Sequence, residues 1–431
     1  LIAENAPEEL IKSSRRFCGG GSAAGGVEGF APAAAIAYVV APFFPTAAIR
    51  RRADVCSRSG RTMDWSPEQD RALKQVSSWL KGTRQQVFRL FGYAGTGKTT
   101  LARALAAEVD GEVAYGAFTG KAAAVMRAKG CVDATTIHSM IYRPRRKKED
   151  ETEEEEVFSF AINRQADVNR AKLIIIDECS MVDEELGRDL LSFGKPTLVL
   201  GDPAQLPPVK GGGFFTEAAP DVMLTEVHRQ AADNPIIRMS MEIREGRTLD
   251  YGRYGDSEVI GRRDIDAERI LSADQVLVGT NRTRHGYNRR IRSLRGYTAE
   301  HPEVGEKLVC LRNDRQKGLQ NGGIFRVTQW KEPKSGFLKF DVAPEDGMGK
   351  GRIAVSVLPA FFEGGEDKLP WPLRRKSDEF DYGYALTVHK AQGSQWDDVV
   401  LFDESWAFRE HRERWLYTAV TRAAERITVV M

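Results

Sequence analysis

The sequence predicts an α/β fold with two parallel-sheet domains in series, and three observations carry that prediction. Short apolar runs recur, each followed by a glycine-bearing turn and then by helical periodicity, as parallel strands with crossover helices require. One such unit contains Gly92-Tyr-Ala-Gly-Thr-Gly-Lys-Thr-Thr100, a glycine loop that belongs between a strand and a helix. A second series of apolar runs with the same rhythm fills the C-terminal half. With 431 residues the chain is long enough for more than one core.

Taken in order, residues 1–62 are rich in Ala and Gly and have no sustained period. The apolar stretch Ala31 to Ile49 is broken by Pro32, Pro42 and Pro45 and followed by Arg50, Arg51 and Arg52, so no membrane span is expected. The expectation is a disordered leader upstream of a natural start at Met63. From there, strands are expected at Val87 to Phe91, Val113 to Phe118, Leu173 to Ile176 and Thr197 to Leu200. In the second half they are expected at Gln275 to Val278, Val399 to Phe402 and Ile427 to Val430. The first domain is placed at 63–223 and the second at 224–431. Two inserts interrupt them. Around 141–165, a basic run (RPRRKK) switches to an acidic one (EDETEEEE). Around 296–380, alternating segments flank Asn321, Gly322 and Gly323, which reads as a small antiparallel, barrel-like module.

Bulk numbers narrow the partners. The formal net charge is only +2, so any nucleic-acid surface must be a local groove and not a basic coat. Cys18, Cys56, Cys131, Cys179 and Cys310 form no CxxC pair, which argues against a zinc ribbon or a disulfide framework and fits a reducing cytoplasm.

The glycine loop is a phosphate cradle. Its glycines let successive N–H groups turn inward, at the positive end of the helix that carries Leu101, Leu105 and Val109. Lys98 then reaches the β and γ phosphates of ATP, and Thr99 offers a hydroxyl to Mg²⁺. Downstream, the strand Leu173 to Ile176 ends in Asp177, suited to the Mg²⁺ shell, and Glu178, suited to polarising the attacking water. The spacing allows this strand to lie beside the loop-bearing one. A third strand leads into Gly201-Asp-Pro-Ala-Gln205, where Gln205 is placed to sense the γ phosphate.

These blocks, in their order, resemble the motifs of superfamily 1 helicases of the RecD and Dda branch, over nearly everything after Met63. SPEQ with Gln69 resembles the adenine-reading motif. GYAGTGKTT resembles Walker A, and FTGKAAAVM and ATTIHS resemble motifs Ia and Ib. DECSMV, GDPAQLPPV, LTEVHRQ, YALTVHKAQGSQ and YTAVTRA resemble motifs II to VI. The resemblance implies tandem RecA-like domains with ATP and Mg²⁺ between them. It implies ATP contacts from Gln69, Gly92, Gly95, Thr96, Gly97, Lys98, Thr99, Thr100 and Gly393, and finger arginines at Arg229 and Arg422. It implies a single-stranded DNA track at Thr119, Lys121, Thr136, His138, Thr387 and His389; a single Thr or His among them, taken alone, reads more readily as a turn cap or a buried hydrogen-bonding group. The resemblance further implies a β-hairpin pin in the first insert, a Src-homology-type barrel in the second, 5′ to 3′ polarity, duplex junctions as substrate and a monomeric enzyme. Cys179 stands where alanine is frequent and His228 where an aromatic is common, and neither touches the catalytic groups. A translocase that does not unwind, and a helicase-like segment of a relaxase or exonuclease system, are the alternatives.

Overall fold

The computed structural model describes residues 65–82, 85–144, 160–208, 213–226, 233–314, 316–345 and 351–431. The leader, the charge-switching run between 145 and 159, and His228 and Arg229 lie outside them. Residues Met63–Met431 form one compact unit.

The first sheet has six parallel strands, in the spatial order Thr135–Thr136, Val113–Ala117, Leu173–Asp177, Thr197–Gly201, Val87–Gly92 and Val222–Leu224. Its central strands are apolar on both faces, and their alternation divides two cores. Phe91, Ile174, Ile176 and Val199 face one, with the helix Glu184–Leu191. Phe88, Leu90, Leu173, Ile175, Leu198 and Leu200 face the other, against Ala72, Val76 and Trp79 of the helix Pro67–Gly82 and Leu101 and Leu105 of the helix Lys98–Ala107. Each such side chain contributes roughly 1.5–3 kcal/mol on burial, which fixes the sheet as the rigid floor of the loops above it.

One expectation needs correcting. The strand that ends in Asp177 does not lie beside the loop-bearing strand, because Thr197–Gly201 runs between them, pairing through Leu198 with both Phe88 and Ile175. All five residues of that strand are buried, so it belongs in the centre. Its insertion brings Gly201 and Asp202, at its C-terminal end, into the cleft lined by the loop and the carboxylates.

The second sheet also has six strands, ordered Ala385–Thr387, Gln275–Val278, Trp396–Phe402, Ala423–Val430, Ser257–Ile260 and Gly252–Tyr254; all pairings are parallel except the terminal hairpin. An antiparallel five-stranded sheet is inserted before its edge strand, ordered Ile353–Val357, Phe337–Pro344, Ile324–Lys334, Lys307–Cys310 and Phe380–Tyr382. A bridge from Val357 to Asp378 curls its two ends together. Phe325 is in its core and Trp330 packs on that core against Phe340, whereas Phe337 stays half-exposed. The insert's last strand passes almost directly into Ala385–Thr387. Asn288 clamps the junction: its Nδ2 donates to the carbonyls of Tyr382 and Ala385, and its Oδ1 accepts from Ala385 N–H. In the first insert, Tyr142–Pro144 pairs antiparallel with Phe160–Ile162.

Candidate nucleotide cleft and nucleic-acid groove

At the end of Val87–Gly92 the chain turns through Gly95 and Gly97, both at φ near 80°, and enters the helix Lys98–Ala107. Gly97 is required twice over, by its left-handed backbone and because a Cβ there would sit 2.9 Å from Gln69 Nε2. No side chain caps this helix, so its first N–H groups remain available to an anion. Lys98 Nζ donates to the carbonyls of Gly92 (2.7 Å) and Tyr93 (2.9 Å), holding its charge over the loop. Thr99 Oγ1 donates to Asp177 Oδ2 at 2.9 Å, so the hydroxyl and carboxylate expected at Mg²⁺ converge on one point.

Glu178 follows at φ 54°, left-handed for a non-glycine residue, with its N–H donated to Asp177 Oδ1. Burial pushes its carboxyl pKa up; the Arg422 guanidinium opposes this and the Asp177 charge adds to it. Arg422 itself is almost wholly buried. Its Nε donates to Thr418 O at 3.0 Å and its Nη1 to Ser394 O at 3.1 Å, which fixes the fork at the rim of the second sheet. Lys98, Thr99, Asp177, Glu178, Gln205 and Arg422 line one cleft of about 660 Å³, together with Gly95, Gly97, Thr100 and Gly393. Among the described site residues, these are the ones the fold brings together. Gln69 also lines the cleft, but its amide is already engaged: Nε2 donates to Thr96 O of the loop, and Oε1 accepts from Ser66 N–H at the start of its own helix.

Several residues at this site carry no signal in sequence reasoning. The buried Tyr417 hydroxyl accepts from Ala94 N–H of the phosphate loop (2.9 Å) and donates to Asp202 Oδ2 (2.7 Å). Thr418 Oγ1 accepts from Leu206 N–H, Gln392 Nε2 donates to Leu206 O, and the Arg244 guanidinium lies 3.7 Å over the Tyr93 ring. The motif blocks contain most of these residues, but only the meeting of the two sheets pairs them. Tyr417→Phe is expected to cost about 1–3 kcal/mol, because the buried Asp202 carboxylate and the half-buried Ala94 N–H each lose a partner. A denaturant midpoint equal to that of the unchanged chain would refute the bridging role.

The expected track residues divide. Thr119, Thr136 and Thr387 are all helix N-caps, accepting from the N–H groups of Ala122, Ser139 and Lys390. Thr387 and His389 line a groove of about 630 Å³ with Pro207, Pro208, Asn281 and Phe408. Lys121 does not line it: its ammonium sits 4.3 Å over the Trp396 ring, facing a separate cavity beside the antiparallel insert. His138 lies between Phe118 and Tyr142, and His389 against Phe408. Burial lowers the pKa of both imidazoles, so each is neutral at neutral pH and acts as a hydrogen-bonding group, not a cation.

A phosphate loop on one parallel sheet, facing acids at the end of the next strand but one and an arginine from the second lobe, defines a P-loop nucleotide protein with its site between two lobes. Comparison with known proteins gives the same class. A model of the AAA domain matches residues 64–263, and one of the UvrD-like helicase C-terminal domain matches residues 382–430. The ATP-dependent RecD2 DNA helicase of Deinococcus radiodurans is 30% identical over 392 residues, covering 84% of this chain and 48% of that protein. The ATP-dependent DNA helicase Dda of Enterobacteria phage T4 is 31% identical over 199 residues, 43% of each chain. A Pif1 helicase, in a structure describing DNA unwinding at forked double-stranded DNA, shares the fold with a TM-score of 0.54 at 19% identity, covering 85% of this chain and 92% of its own. By sequence the chain is therefore similar to helicases of the RecD type, and the Pif1 structure adds a likeness of fold alone. The chain spans less than half the length of the RecD2 and Dda relatives. Among the described residues, no helix is long and apolar enough to cross a membrane.

Proposed function

We propose that this chain hydrolyses ATP to drive movement along single-stranded DNA, with strand separation as the output. The observation that supports it most is the division of the cleft: the phosphate loop, Asp177 and Glu178 belong to one sheet and Arg422 to the other. Hydrolysis in such a cleft requires the two lobes, 63–223 and 224–431, to close, and product release requires them to open.

ATP fits with its phosphates on the loop and its base toward Trp65 and Gln69, which line one part of the cleft. Thr99 and Asp177 fit Mg²⁺, an ion that keeps most of its waters and needs one or two protein oxygens. Bound there, it would neutralise charge on the β and γ phosphates. Among the described residues no group of three ligands exists, which suits Mg²⁺ and not a caged metal. Glu178 then polarises the attacking water, Gln205 orients toward the γ phosphate, and Arg422 with Arg229 stabilises the charge that develops on the transferring group.

The strand is placed across Thr387 and His389 on the second lobe and the caps at Thr119 and Thr136 on the first. Capping uses the hydroxyl oxygen as acceptor at each threonine, which leaves its proton for a phosphate or sugar oxygen at Thr119 and Thr387. The hairpin through Tyr142 and Ile162 is the proposed pin, and the curled antiparallel insert its support.

The test uses two forked duplexes, one with a 5′ and one with a 3′ single-stranded tail, with Glu178→Gln as control. Opening of the 5′-tailed fork alone is expected. ATP hydrolysis stimulated by single strands with no opening would remove the pin and leave a translocase, and no stimulation by single strands would overturn the motor.

A further inference from the structure

We propose that the exposed face of the helix Asn281–Leu294, together with Trp406, forms a second single-strand grip that continues the groove at Thr387 and His389 over the flank of the second lobe. The inference rests on the nucleic-acid reading of that groove and adds to it a site that none of the motif blocks contains.

The helix reads Asn-Arg-Thr-Arg-His-Gly-Tyr-Asn-Arg-Arg-Ile-Arg-Ser-Leu, with five arginines and no acid. Two of the five are structural. Arg284 is paired with Asp381 and Arg292 with Glu306, both buried, and these pairs fasten the helix to the antiparallel insert. The other three, Arg282, Arg289 and Arg290, are exposed, and among the described residues none of them has an ion pair. Arg282 and Arg289 are two turns apart, about 10 Å along the axis, a spacing that a flexible phosphodiester chain can follow. A single-sign face of this kind on a protein of net charge +2 is a local feature and is complementary to a polyanion.

Two further observations tie that face to the groove. Asn281, the first helical residue, lines the groove alongside His389 and Phe408. The segment Ser405–His411 is pinned to the same helix end by Glu404, whose carboxylate accepts from Gly279 N–H, Thr280 N–H and the Thr283 hydroxyl. That carboxylate is therefore spent internally and does not neutralise the arginine face. From this segment Phe408 turns inward to stack on Trp415, while Trp406 leaves 68% of its surface in water. An exposed indole two residues from the groove-lining Phe408 is a platform for a base, since every base offers a π face irrespective of sequence. The strained backbone of Arg409 (φ 43°), three residues on, shows that the surrounding packing holds this segment in its conformation.

The test is binding of oligothymidylates of increasing length, followed by fluorescence anisotropy across a salt series. For Arg282→Ala/Arg289→Ala/Arg290→Ala, the slope of log affinity against log salt on long strands should fall by about 2, since each single-strand phosphate contact contributes about 0.7. The triple lysine variant keeps the charge and should keep the slope. Trp406→Ala should weaken long-strand binding by roughly 5- to 150-fold and Trp406→Phe by much less. On strands short enough to fill only the groove, all four variants should match the unchanged chain. An unaltered slope in the triple alanine variant, or a defect confined to duplex DNA, overturns the proposal. Failure of the unchanged chain to bind any strand would instead overturn the nucleic-acid reading beneath it.

Discussion

Glu178→Gln is expected to slow ATP hydrolysis by about 10²- to 10⁴-fold, the usual contribution of a general base, while leaving nucleotide binding intact. The substitution keeps the shape of a residue held at φ 54° between the Asp177 carboxylate and the cleft, and removes only the capacity to accept a proton. The loop N–H groups, Lys98 and Thr99, which are proposed to hold the phosphates, are untouched. Lys98→Ala should behave differently: it deletes the ammonium now resting on the Gly92 and Tyr93 carbonyls, so turnover and affinity fall together. Titration with a fluorescent ATP analogue, beside single-turnover hydrolysis, separates the two. Full turnover in either variant would overturn the assignment.

The same carboxylate sets an acid limb. Burial raises its pKa, with Arg422 pulling it partly back, so as pH falls Glu178 takes up its proton earlier than an ordinary carboxylate would. Only the charged form is a base, so kcat/KM should decline on the acid side at a pH above the usual carboxylate range. Glu178→Gln should lack that limb, and a profile with the same limb in both proteins would place the titrating group elsewhere.

Arg422→Ala is expected to lower turnover by about 10³- to 10⁵-fold, or roughly 4–7 kcal/mol of barrier. The guanidinium is held in place before any nucleotide arrives, by the carbonyls of Thr418 and Ser394, and its field already reaches Glu178 across the cleft. Arg422→Lys should recover little, because a lysine replaces a planar fork with a single ammonium that cannot hold both carbonyls and still face the phosphate. Thermal melting of both variants must stay close to that of the unchanged chain for the loss to count as catalytic. Near-normal turnover in Arg422→Ala would mean that the second lobe closes on the nucleotide without taking part in its chemistry.

The legible part of the molecule is the part whose chemistry is local. Gly92 to Thr100 encodes its own turn and helix entry, and Leu173 to Glu178 encodes a buried strand that must end in carboxylates, so the fold class and the cleft-lining acids, lysine and threonine follow from contiguous residues. The antiparallel insert was legible for the same reason, in alternating runs around Asn321 to Gly323. The role of Tyr417 was not: nothing in its neighbours says that its hydroxyl will meet Ala94 and Asp202, each more than 200 residues away. Lys121 shows the converse. Its motif block suggested an outward contact, and an aromatic ring from the second sheet drew the ammonium inward.

By itself, then, the sequence determined two parallel-sheet lobes, the phosphate cradle and the acids opposite it, because backbone conformation and strand burial depend on residues a few positions apart. The tertiary structure alone decided that Thr197–Gly201 lies between the loop-bearing strand and the acid-bearing one, that Arg422 faces Glu178, that Asn288 locks the insert to the edge strand, and that three of five helix arginines have no ion pair among the described residues. Those outcomes depend on which surfaces pack together, and a side chain's partner across such a contact is set by the relative placement of whole sheets, which short-range spacing does not encode.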